Sequence, residues 1–233
     1  MDAWPDDVVV CIRALLAHAP RDVVIVGLDC GDVDGAGMAL HELSAQNPDR
    51  VIDLHVAGDL AKVGWSSAVS ALVGVSRSDV VAVLDMSTVL DGDAITPILA
   101  QFDDQSVVAS GWRGVNANLE NEWRSFDDAP SGEVDAILGY LLVVRRDAAL
   151  AAPAHPKARF YRNADIEWSL ALRAEGGRLV VPPGQLPLHQ ERHHGYHDSD
   201  LELRDRESRR TYDRLLHRFR SRPEILSPRA PGP

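Results

Sequence analysis

The stretch DVVIVGLD, residues 22–29, decides the architecture. It is apolar and rich in β-branched side chains until it ends on an acid, Asp29. A run with no polar face to turn toward water fits a strand buried on both sides of a parallel sheet, with helices covering both faces. A glycine- and acid-rich turn, CGDVDGAG (30–37), leads from it into MALHELSAQN (38–47). The pattern then repeats. VIDLHVA (51–57) reads as a strand, GWSSAVSALVGVS (64–76) as a helix and SDVVAVLD (78–85) as a second buried strand ending on an acid. DGDAITPILAQF (91–102) is a helix opened by acids and bent at Pro97. SVVASG (106–111), VDAILGYLLVV (134–144) and RLVVP (178–182) are further strands. Strands alternating with helices at this spacing predict an α/β domain of three layers, α/β/α, around a mostly parallel central sheet.

Between residues 112 and 133 the pattern dissolves into a long connection, of the kind that is either functional or a surface excursion. RNADIEWSLALR (162–173) is an amphipathic helix with two acids, Asp165 and Glu167, in its first turn, stopped by Gly176 and Gly177. Residues 182–198 form a proline-broken loop carrying His189, His193, His194 and His197. The segment 198–223 is a separate arginine-rich helix. Its apolar stripe of Tyr212, Leu215, Leu216 and Phe219 packs either on its own domain or on a neighbouring copy. Residues 224–233 read as a frayed tail.

Composition narrows the functions. A chain of 233 residues with 45% hydrophobic and 25% charged residues suits one soluble domain. The net charge of −11 argues against gripping a nucleic-acid backbone. An anionic ligand would need a local device, either a metal ion or a helix N-terminus. The apolar runs are too short for a transmembrane segment, and there is no signal-peptide pattern. Two cysteines make no disulfide framework, so a cytoplasmic setting is expected.

Acids collect where such a sheet would open a crevice: Asp29 and Asp85 end strands, and Asp165 opens the late helix. In this order the motifs resemble the family 2 glycosyltransferases, which have the GT-A fold. DVVIVGLDCGDVDGAG is similar to that family's second strand and its acidic turn, and SDVVAVLDMS to the approach to its Asp-x-Asp motif. GYLLVVRRDAAL resembles the strand after the acceptor loop. RNADIEWSLALR and the later His189 resemble the catalytic helix and a metal-binding histidine. The likeness spans residues 8–197. It implies a donor site of Asp29, Asp34, Asp85 and Ser87, and a divalent metal (Mn²⁺ or Mg²⁺) held by Asp85 and His189. It implies Asp165 as general base, with Glu167, Trp112 and Tyr140 on the acceptor side. The reaction implied is inverting transfer of a sugar from a nucleoside diphosphate to a hydroxyl-bearing acceptor.

The residues also depart from that pattern. Ser87 stands where the second acid of Asp-x-Asp is expected, and a hydroxyl is a poor Mn²⁺ ligand. Ala164 replaces the Glu before the base. WPDDVVVCIRALLAHAP (4–20) reads as the helix that should follow the family's first strand, which then has no counterpart; VVV as a short strand is the alternative. Blander uses remain open: Asp165 as a helix cap, Glu167 as a complement to the helix dipole, Asp29 and Asp85 as turn residues, Trp112 and Trp123 as packing. Two other functions stay in view, a catalytically silent binding domain and a metal-dependent hydrolase built on His189–His197.

Overall fold

The computed structural model describes residues 4–31, 33–56, 64–191 and 201–229. Helix α1 (Pro5–His18) opens the chain, with Pro5 in its first turn, where a missing amide hydrogen costs nothing. The helical reading of residues 4–20 therefore holds, and VVV is no strand. Strand β1 (Ile25–Asp29) pairs in parallel with β2 (Val51–His55), and α2 (Ala36–Gln46) connects them. Gly27 brings α2 close: a Cβ there would stand 2.5 Å from Leu40 Cδ1. Leu40 is fully buried in a cluster with Val8, Ile12, Leu43 and Val51.

Helix α3 (Trp65–Val75) leads into β3 (Val80–Leu84) and then β4 (Thr88–Leu90). The acidic segment after β4 is shorter as a helix than its sequence suggests: α4 covers Ile95–Leu99, followed by a 3-10 turn over Ala100–Asp103. Asp93 starts it, taking the amide hydrogens of Ile95 and Thr96.

The expected continuous strand 134–144 is broken. β9 (Ala136–Ile137) and β10 (Leu141–Arg145) are separated by Leu138, Gly139 and Tyr140. The 112–133 excursion is also ordered as β6 (Gly114–Ala117), β7 (Phe126–Ala129) and β8 (Gly132–Glu133). β7, β6 and β9 form an antiparallel sheet of three. This excursion corrects the sheet expectation. The connection from β5 (Val107–Gly111) to β10 contains strands and no crossover helix, so β10 enters antiparallel to both β3 and β5. The larger sheet runs β3-β10-β5-β11-β8, with β11 (Arg178–Val181) parallel to β5. The sheets are therefore several and mixed. Among the described residues β1–β2 is a separate pair, and β3 pairs with β10 alone.

Helices pack on both faces of β10. On one face of β10, Leu142 and Val144 pack with residues of α3, α5 (Arg146–Ala151) and α6 (Ala164–Ala174). On the other, Leu141 and Val143 meet α4 and the end of α1. Helix α7 (Leu201–Phe219) lies on α6 of its own chain, through Leu215 and Phe219. The segment after it is not frayed as far as Arg229. Ser227 is buried, its amide and hydroxyl both donating to Asp135 Oδ1 at 2.7 and 2.8 Å. Residues 230–233 lie outside the described set. No described helix is long and apolar enough to cross a membrane.

The tightest joint in the larger sheet is Gly111. A Cβ there would sit 2.3 Å from the Leu141 carbonyl oxygen and 2.5 Å from Ile137 Cγ2. Moving that carbonyl would pull at the β5–β10 ladder itself. Gly111→Ala is expected to cost about 1–3 kcal/mol or more. Urea melts should show a lower midpoint with an unchanged slope.

Candidate functional site

The break at Leu138–Tyr140 and the start of α6 make one joint. Gly139 donates its amide hydrogen to Asp165 Oδ2 at 2.8 Å, and Ile166 donates to Oδ1 at 2.8 Å. Asp165 thus takes a first-turn amide of its own helix, as a cap would, while its other oxygen holds the strand break. The residue at the cap position, Asn163, is left-handed at φ 67° and turns its side-chain amide to the Ser208 carbonyl of α7 at 3.2 Å. Asp165 is 9% exposed. Burial pushes its carboxyl up from the ordinary 3.8 to about 6, against the pull of the Gly139 and Ile166 amides. A folded value above the unfolded one means that the native state holds the extra proton. Stability contributed this way is complete below pH 3.8 and lost as pH rises to about 6.

Asp85, just beyond β3, shares a cleft with Asp165, about 610 Å³ in volume. Its apolar wall comes from Val26 and Leu28 of β1, Trp65 and Leu72 of α3, and Val83 of β3. Its polar rim adds Tyr140, Tyr161, Arg162, Asn163 and Arg204. The volume suits a ligand of nucleotide size. The cleft therefore carries two acids and two arginines, with the N-terminal end of α6 at its margin. Arg162 is exposed, and Arg204 Nε donates to Asp205 at 2.9 Å. The rim arginines were missed in the sequence because Arg204 sits in a helix whose other arginines are surface or ion-pair residues.

The remaining expected residues divide. Tyr140 lines the cleft, and burial raises its phenol. Trp112 does not line it; the ring meets Tyr140 edge-on at 5.9 Å, with the Arg113 guanidinium 4.3 Å from its centroid. Trp123 is buried against Phe126 and is packing. Asp29 is buried beside the cleft residue Leu28, accepting the Gly31 amide at 2.9 Å and facing His55 Nδ1 at 3.1 Å. Asp34 is exposed in a left-handed turn at φ 55°.

Ser87 is fully buried and spends its amide and hydroxyl on Asp85 Oδ1, at 2.8 and 2.6 Å. It orients the acid. His189, on β12 (Leu188–Gln190), lies opposite Val89, held between Asp91 at 2.7 Å and Glu191 at 3.1 Å, and is absent from the cleft lining. Its neighbour Gln190 is the residue that reaches Ser87, at 3.4 Å. His193, His194 and His197 lie outside the described residues. Among the described residues, then, the cleft lining holds two carboxylates and no histidine: Ser87 engages Asp85 Oδ1, and amides engage both oxygens of Asp165. That set does not fit a resident Mn²⁺ or Mg²⁺ held by Asp85 and His189.

Glu167 is the clearest departure from expectation. It is 1% exposed and outside the cleft. Arg214 grips it with Nε at 2.8 Å and Nη2 at 2.5 Å, and Arg218 adds a contact at 2.8 Å. It is the anchor of α7 on α6.

No protein-family model matches the chain, and comparison with curated proteins finds no match. Solved structures do match. GalNAc-T7 with UDP, GalNAc and Mn²⁺ superposes with a TM-score of 0.69 at 13% identity, over 89% of this chain and 44% of that one. The mannosyltransferase PcManGT from Pyrobaculum calidifontis, in complex with GDP-Man and Mn²⁺, superposes with a TM-score of 0.70 at 14% identity, over 99% and 64%. The chain thus spans less than two thirds of either protein. At these identities the likeness establishes the fold, that of the GT-A glycosyltransferases with its sheets fragmented and mixed.

Stripping a buried carboxylate of its cations leaves an uncompensated charge. The double variant Arg214→Ala, Arg218→Ala should therefore lose about 3–5 kcal/mol in chemical denaturation. Adding Glu167→Gln to it should recover part of that loss; no recovery would mean that charge is not what the arginines neutralise.

Proposed function

We propose that the chain is an inverting, family 2-like glycosyltransferase that moves a sugar from a nucleoside-diphosphate donor to a hydroxyl acceptor. The supporting observation is that Asp85 and Asp165, remote in sequence, line one cleft of suitable size. The acceptor hydroxyl attacks the anomeric carbon as the bond to the diphosphate oxygen breaks. Its proton passes to Asp165, and the nucleoside diphosphate leaves with the bonding electrons. Attack from the face opposite the leaving group inverts the centre without a covalent intermediate. A base so placed is worth ~10²–10⁴ in rate. Asp165 suits the task because desolvation has raised its proton affinity toward neutrality. The departing negative charge is met by Arg162 and Arg204 and by the N-terminal end of α6. The donor's base and ribose lie against the apolar wall of β1 and α3, with Asp29 and Asp34 at the turn beyond. No step is routed through a metal, since the described residues of the cleft do not assemble a site for one.

A silent donor-binding domain is the competing reading, favoured by the single clamped carboxylate at Asp85. Calorimetry against UDP- and GDP-sugars, with Mn²⁺ and with chelator, coupled to product detection, separates the two. Binding of a donor that is retained in chelator, together with product, is the expected result. Binding without product under every acceptor tried favours the silent domain, and no binding at all removes both. Asp165→Asn should lower turnover at least ~10²-fold while donor binding persists. Because the charged form must act, the wild-type rate should climb with pH through an acid limb near 6 and then level off. A flat profile from about pH 5 to 8 would remove Asp165 as the base.

A further inference from the structure

Away from the cleft, β2 carries Asp53 and His55 two positions apart, so both side chains leave the same face of the strand. Helix α2 lies over that face, admitted by Gly27, and places His41 beside them. His41 Nδ1 stands 2.8 Å from Asp53 Oδ2, and His55 Nε2 stands 3.4 Å from the same oxygen. One ligand atom from each of the three residues lies within 4.8 Å of the others. Behind His55, its second nitrogen Nδ1 faces Asp29 Oδ2 at 3.1 Å.

His55 faces a carboxylate from each ring nitrogen, as a protonated or a metal-bound imidazole would. Neutral His55 has one N–H and faces two carboxylates. If the proton sits on Nδ1 and is donated to buried Asp29, then Nε2 and Asp53 Oδ2 present lone pairs to each other. A second proton or a cation must lie between them. Ligand atoms around a tetrahedral ion with bonds of ~2.0–2.2 Å are roughly 3.3–3.5 Å apart, which matches the 3.4 Å separation. Donation from the outer imidazole nitrogen to a carboxylate is also the usual second contact of a metal-bound histidine. His41 is largely exposed, so its ring is free to open the few tenths of an ångström that an ion needs.

We propose that His41, Asp53 and His55 form a binding site for a zinc-like transition-metal ion, with Asp29 as the positioning residue that orients His55 and water completing the coordination. Two imidazoles and one carboxylate favour such an ion over Mg²⁺ or Ca²⁺, which prefer oxygen. The ion would tie α2 to β2 and fix Asp29 at the end of β1. The site stands independently of the transferase reading.

The test is titration of the metal-stripped full chain with ZnCl₂ by calorimetry, and with Co²⁺ followed by its visible absorption. One equivalent of Zn²⁺ is expected, with at least ~10-fold weaker binding in His41→Ala and in His55→Ala. Asp29→Asn should weaken Zn²⁺ ~10–100-fold and change the Co²⁺ spectrum, which loss of mere packing would not do. Wild-type protein that takes up no stoichiometric ion overturns the proposal. So does binding that survives His41→Ala and His55→Ala but disappears in His189→Ala, which would place the ion on the other histidines. Circular dichroism of the metal-free variants checks that each is folded before titration.

Discussion

The arrangement depends on a buried carboxylate shared between a broken strand and a helix start. Asp165 is removed from water and accepts amide hydrogens from Gly139 and Ile166. That pairing is enough to hold the group in place and too little to make it strongly acidic. The interruption of the strand at 138–140 is therefore not a flaw in the sheet. It delivers the Gly139 amide to the carboxylate and the Tyr140 ring to the cleft.

Around this joint the molecule divides labour between neighbouring acids on α6. Asp165 and Glu167 are two residues apart, and both are buried. One meets backbone amides and keeps its proton affinity; the other is held by Arg214 and Arg218 and binds the last long helix to the domain. Identical chemistry at the sequence level has been separated by what each side chain meets. The same principle operates at Asp85, where Ser87 serves the acid instead of sharing a ligand with it.

How much of this was legible depended on range. The runs 22–29 and 78–85 announce strands because every residue agrees locally, and α6 is marked by its acids and glycines. The direction of β10 was not readable, because it is decided by the connection before it. The strands within 112–133 were hidden by their brevity and polar content; β7 is Phe-Asp-Asp-Ala, with no alternation to detect. Asp85 and Asp165 were identifiable from their positions at element ends. The use of Glu167 was not, since its partners lie 47 and 51 residues further along. Nothing in the spacing of His41, Asp53 and His55 suggested that they meet, for their proximity is created by the packing of α2 on β2.

The edge of the larger sheet carries a further consequence. β3 is Val-Val-Ala-Val-Leu, apolar on both faces, yet only half-buried, with a strand partner on one side among the described residues. Such a margin is a template for pairing with another copy wherever the cleft wall at Val83 and Leu84 leaves it open. What opposes it is charge: each molecule carries −11, and mutual repulsion keeps the margins apart in dilute buffer. Added salt shortens the reach of that repulsion to about 8 Å at physiological strength. Colloidal behaviour of this protein should accordingly follow ionic strength as closely as concentration.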